Sequence, residues 1–139
     1  MRLALTPIVE RLRGAGMRQV EGVLEFTTQT VEPRQLPARF VVPVSESAAG
    51  NSVDVGRDQA IDVSFSVFVV VDGARRNQAG IAEELKAEED KVCEALVGWT
   101  HPAASRACSY AGGRLASVSG STVTWEVRLR TRYHERKRS

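Results

Sequence analysis

The sequence predicts an α+β fold: a four- to five-stranded, mostly antiparallel sheet with a long helix and a short N-terminal helix packed on one face. Three stretches carry that prediction. In DQAIDVSFSVFVVVDG (58–73), Ile61, Val63, Phe65, Val67, Val69 and Val71 fall on every second position, which places them on one side of a single long strand. In 122–133, Val123, Trp125, Val127 and Leu129 alternate with Thr124, Glu126, Arg128, Arg130 and Arg132, the mark of a strand with one face in the core. Between them, from about Gln78 to Val97, Ile81, Leu85, Val92, Ala95 and Leu96 share an arc at helical spacing, wide enough to cover a sheet.

The elements follow in chain order. Thr6-Pro7 reads as a hydroxyl N-cap with proline at the first helical position, and Ile8, Val9 and Leu12 give the short helix a buried side before Gly14 or Gly16 ends it. From Met17 to Leu36 the pattern fits a short helix or an irregular strand equally. Pro37 to Pro43 is a short extended run whose closing proline suits an edge strand. Ser45 to Asp58 is small and polar with two glycines, a loop long enough to suggest binding or disorder. The strand at 58–73 is the natural centre of the sheet. Its second side is polar at Asp62, Ser64 and Ser66 and apolar at Phe68 and Val70, so it requires cover only towards its end. Glu88 and Glu89 interrupt the apolar arc of the long helix, which Gly98 should terminate. Arg106–Ala111 and Leu115–Val118 read as short strand pieces joined by a bend or bulge at Gly112-Gly113, and Ser119-Gly120-Ser121 is turn chemistry. The basic end, 134–139, is expected to fray.

The chain has 139 residues, one domain by length, with an ordinary 42% apolar and 26% charged content. A net charge of +2 is too small to argue for nucleic acid, but the charge is uneven. Arg128, Arg130, Arg132, Arg136, Lys137 and Arg138 crowd the end, while Glu83 to Glu94 is acidic. The opening residues lack the continuous apolar core of a secretory signal, and the run Val67–Val71 is too short to span a bilayer. Cys93 and Cys108 are read as free thiols in a reducing cytoplasm.

No constellation for catalysis emerges. His101 and His134 lie far apart in sequence without partners at metal-ligand spacing, so neither metal nor cofactor is expected. The acidic run lacks the alternating ligands of a calcium loop and reads as a solvated helix face. Gly112-Gly113-Arg114 precedes no helix and is no phosphate cradle. Arg128, Arg130 and Arg132 share one strand face, about 6.6–6.8 Å apart. They suit solvent, an acidic partner or passing nucleic acid, and with no aromatic residue among them base stacking is not indicated.

An ordered set of segments resembles a known family. ARFVVP (38–43), Asn51, Gln59 ahead of FSVFVVV (65–71), ALVGW (95–99), SYAGGRL (109–115) and TVTWEVRLRTRY (122–133) are similar to the tail terminator proteins of Mu-like and related tailed bacteriophages. His101 departs from the pattern by lengthening the step from the Gly-Trp pair to the proline. The resemblance implies a virion structural protein, assembled in the host cytoplasm, with no enzymatic activity. It implies a homo-oligomeric ring, usually a hexamer, on the head-proximal end of the tail tube. Such a ring stops polymerisation of the tube protein, offers a surface to the head–tail connector and lets DNA pass through its lumen without sequence-specific contact. A neck or head-completion ring of the same particle is the alternative, and a small enzyme a distant third. The expected interface residues are Asn51, Val53, Asp54 and Arg57 in the loop, docking on the tube or the next subunit. Arg128, Arg130 and Arg132 are expected to meet an acidic partner or line the channel.

Overall fold

The computed structural model describes residues 2–22, 36–48, 58–73 and 77–136. Within them the chain runs α1 (Thr6–Gly14), β1 (Val20–Glu21), β2 (Ala38–Ala48), β3 (Asp58–Asp72), α2 (Gln78–Leu96), β4 (Arg106–Ser119) and β5 (Thr122–Arg136). The strands form a five-stranded sheet in the order β1-β2-β3-β5-β4. Only β1–β2 is parallel; the other pairings are antiparallel. The fold is α+β, with the alternating strand of 58–73 at the centre.

One side of β3 makes the main core. Phe65, Val67, Val69 and Val71 join Val127 and Leu129 of β5, Ile8 and Leu12 of α1, and Val92 and Leu96 of α2. Ile81 and Leu85 pack on the margin of the same cluster. Both helices therefore cover one face, because only that face is apolar along its whole length. Beyond their reach Leu3 closes a second cluster with Ile61, Val63 and Tyr133. His101 anchors this N-terminal stretch. Its Nδ1 accepts from the Ala103 N–H at 3.0 Å, which leaves Nε2 to donate to the Ala4 carbonyl at 2.9 Å. It is a satisfied core histidine. On the opposite side of the sheet, Ala38, Phe40 and Val70 cluster with Val42 and Phe68, where the second side of β3 turns apolar.

α2 starts at Asn77, whose side chain accepts from the Gly80 N–H at 2.8 Å. It ends before Gly98, which takes a φ of 87° and donates to the Cys108 carbonyl at 2.9 Å, tying the helix exit to β4. The helix start in α1 differs from expectation. Thr6 is the first helical residue, Leu5 holds the cap position, and no side chain caps it. The undecided stretch contributes β1, which pairs Val20 and Glu21 with Arg39 and Phe40; residues 23–35 lie outside the described ones.

Two expectations for strand limits are corrected. β2 does not stop at Pro43 but runs to Ala48, pairing Ser45–Ala48 with Ile61–Ser64 of β3. The break in register between Pro43 and Ser45 leaves Val44 as an extra residue, a bulge where proline's missing N–H breaks no ladder. The bulge also inverts the alternation. Before it the even residues Phe40 and Val42 share the outer face with Phe68 and Ser66; after it Ser45 and Ser47 do. The predicted loop thus begins later, and its residues 49–57 lie outside the described ones. β5 does not fray at His134, because β3 begins at Asp58 and supplies partners through Glu135 and Arg136; 137–139 lie outside the described residues. The expected bend or bulge at Gly112-Gly113 is present: β4 runs through it with a register shift between Tyr110 and Gly112, and further shifts follow Arg106 and Leu115.

Glu88 and Glu89 explain their place in the apolar arc, and they are no solvated face. Glu88 is buried and pairs with Arg39 of β2, also buried. Glu89 accepts from Trp125 Nε1 at 2.7 Å and from the Tyr110 hydroxyl at 3.3 Å, fastening α2 to β5 and β4. Gly113 passes directly beneath this knot, where a β-carbon would collide with Glu89 and Trp125. Close approach, rather than a turn, requires glycine there.

Candidate interface on the open sheet face

The site builds on the face of β5 turned away from the helices. Alternation puts Arg128, Arg130 and Arg132 there, as the sequence predicts, and the register sets them opposite Ser66, Ser64 and Asp62 of β3. On the other flank Arg106 lies opposite Arg132, Ser109 opposite Arg130 and Arg114 opposite Glu126. Ser45 and Ser47, turned outward by the bulge in β2, extend the face further. Together Ser45, Ser47, Asp62, Ser64, Arg106, Ser109, Arg130 and Arg132 line an open concavity of about 480 Å³.

Its charges are arranged, not scattered. Arg132 Nε donates to Asp62 Oδ1 at 2.7 Å. That hydrogen bond holds the Asp62 carboxyl below its ordinary value of 3.8, with Arg106 and Arg130 adding through-space attraction. Deeper, Glu126 accepts from Ser66 Oγ and from Arg114 Nε, each at 2.6 Å, while Arg128 Nε stands 3.8 Å away. Burial alone would push the Glu126 carboxyl up, but the Ser66 and Arg114 hydrogen bonds and the two guanidiniums bring it below 4.5. Arg132, Arg128 and Arg114 are thus held by carboxylates of the same face. Arg130 and Arg106 point their charge outward among serine hydroxyls, suited to carboxylates or phosphates on a partner. The concavity is lined by guanidiniums and serine hydroxyls together with the Asp62 carboxylate.

Asp62 and Glu126 give a pH prediction. Both bind a proton more weakly folded than unfolded, so their stabilisation is present above the ordinary values of 3.8 and 4.5 and is lost as pH falls through the lower folded values. Melting temperatures followed by circular dichroism from pH 7 to pH 3 are expected to drop over the acid end of that range. Glu126→Gln should flatten the decline; an unchanged acid profile in that variant would remove Glu126 from the account.

Of the predicted site residues, Arg128, Arg130 and Arg132 come together, while Asn51, Val53, Asp54 and Arg57 lie outside the described residues. Arg106, Arg114 and the serines are not among the residues the sequence assigns to the site. Strand pairing alone brings them in, and the register breaks of β4 hide its alternation. A larger depression, about 730 Å³, lies between α1, the end of α2 and the Trp99–Pro102 loop. It is a packing seam: Arg11, its central cation, donates to the Ala95 carbonyl at 2.9 Å and sits 6.0 Å from the centre of the Trp99 ring. Both cysteines are free, and burial pushes the Cys108 thiol up to about 11. Among the described residues no group of three or more histidine, cysteine or acidic side chains could hold a metal ion, and no helix is long and apolar enough to cross a membrane.

A family model described as phage tail terminator protein matches residues 1–139. No curated protein matches. Among solved structures, a chain of the virion of a native gene transfer agent particle is similar in fold, with a TM-score of 0.54 and 16% identity over 92% of each chain.

Proposed function

This chain belongs to the phage tail terminator protein family, and from that premise we propose that it closes the head-proximal end of the tail tube as a homo-oligomeric ring, in the usual case a hexamer. In that role it stops addition of tube protein, presents a joining surface to the head–tail connector, and leaves a lumen through which DNA passes without sequence-specific contact. The observation that carries the reading is the open face of β5, where Arg106 and Arg130 project beside internally neutralised arginines over a shallow, polar concavity. Such a face fits broad, charged contact with another protein rather than enclosure of a small substrate. Loop residues Asn51, Val53, Asp54 and Arg57 are proposed to engage the tube or the neighbouring subunit, and Arg128 to support the charged face.

Electron microscopy of particles assembled without this chain tests the role. Tubes of uncontrolled, excessive length are expected. Normal-length tails that fail to join heads would overturn capping in favour of a neck or head-completion ring.

A further inference from the structure

β4 stands at the margin of the sheet, and its two faces differ in character. Towards α2 it shows Tyr110, Leu115 and Val118, which are 47%, 52% and 66% exposed, beside Val97 at 43%. Carboxylates of α2 rim one end of this face: Glu89, Asp90 and Glu94 surround the depression under Tyr110 and Val97. Burial, and after it the charges of Glu89 and Asp90, hold the Cys93 thiol above its ordinary value. On its other face the same strand contributes Arg106 and Ser109 to the basic concavity. One strand therefore carries an acidic, apolar surface on one side and a basic, hydroxyl-rich surface on the other.

We propose that the acidic, apolar margin of one copy of this chain seats against the basic concavity of the next, so that successive subunits meet head to tail across β4. This rests on the ring reading above and names the partner of the same face. The argument is complementarity carried by a single chain. Tyr110, Leu115 and Val118 leave large apolar surface exposed along one face of β4, with Val97 beside Tyr110, and such surface invites a partner. Nucleic acid would occupy the basic face and leave that apolar strip uncovered. A second copy covers both, because every copy brings both surfaces. Two different patches meeting each other form a heterologous contact, which closes into a ring when the rotation allows. The apolar strip would supply most of the affinity, since rim ion pairs contribute little, and the charges would fix orientation.

Cross-linking in assembled particles tests this. In a Cys93→Ala background, where Cys108 stays buried, Glu94→Cys and Arg130→Cys are made singly and together and treated with a short bis-maleimide. The double variant should give a ladder of multimers on denaturing gels, each single variant none, and particles built from a mixture of the two singles only dimers. A double variant that stays monomeric would overturn the contact. So would single variants that dimerise, or adducts with the tube protein or DNA in place of the ladder. Charge reversal gives a second measurement: Glu94→Arg or Arg130→Glu alone should drop out of particles, and the two in one chain should return; failure of the pair to return counts against the contact. Tail length separates the two readings. Normal lengths without a ladder sink only this contact, whereas normal lengths in particles lacking the chain sink the capping role and leave the ladder to be judged separately.

Discussion

Glu88→Ala is expected to lower folding stability by about 3–5 kcal/mol, read from denaturant unfolding. Arg39 and Glu88 are 5% and 3% exposed, so neither charge is solvated by water. Arg39 donates through Nε to Glu88 Oε2 at 3.0 Å and through a second nitrogen to the same oxygen. Lys91 reaches the other oxygen at 3.3 Å. Alanine would remove the anion and leave a guanidinium buried between β2 and α2 with no counter-charge. The loss comes from that stranded charge rather than from the worth of the pair itself. Arg39→Met with Glu88→Leu should therefore recover most of it, because two apolar groups leave nothing unsatisfied. A Glu88→Ala variant within about 1 kcal/mol of the parent would show that water reaches Arg39.

Phe65→Ala is expected to cost about 3–5 kcal/mol, by a different mechanism. Phe65 is fully buried in the central strand, between Pro43 and Leu129 in the register and beneath the two helices. Strands pair with β3 on both flanks and the helices cover the ring, so the space it leaves cannot collapse fully. Thermal and chemical unfolding should agree on the loss. A cost below about 1.5 kcal/mol would mean that the helices settle into the gap, and that the two layers are more loosely coupled than the packing indicates.

These two residues also mark how far the sequence could be read. Phe65 announces itself: a period of two over six apolar positions admits one strand and one buried side, and the fold follows from covering that side. The helix arc of Ile81 to Leu96 and the one-sided strand at 122–133 are legible for the same reason. Glu88 is not. A carboxylate inside an apolar arc makes sense only beside its partner, and Arg39 lies in another element 49 residues away. The strand limit around Pro43 escapes for a related cause. A bulge adds one residue and inverts the pattern on which periodicity depends, so Ser45 and Ser47 look like loop when they are sheet. The arginine face was half visible. Arg128, Arg130 and Arg132 follow from alternation within one strand, whereas Arg106, Arg114 and their carboxylate partners depend on which strands lie side by side.

The interruptions of β4 have a bearing on how a population of these molecules behaves. A straight marginal strand offers a regular row of amide and carbonyl groups, an invitation to runaway lateral growth between identical chains. The three breaks in β4 put that row out of step. Copies crowded together during synthesis are thereby discouraged from pairing edge to edge into fibrils.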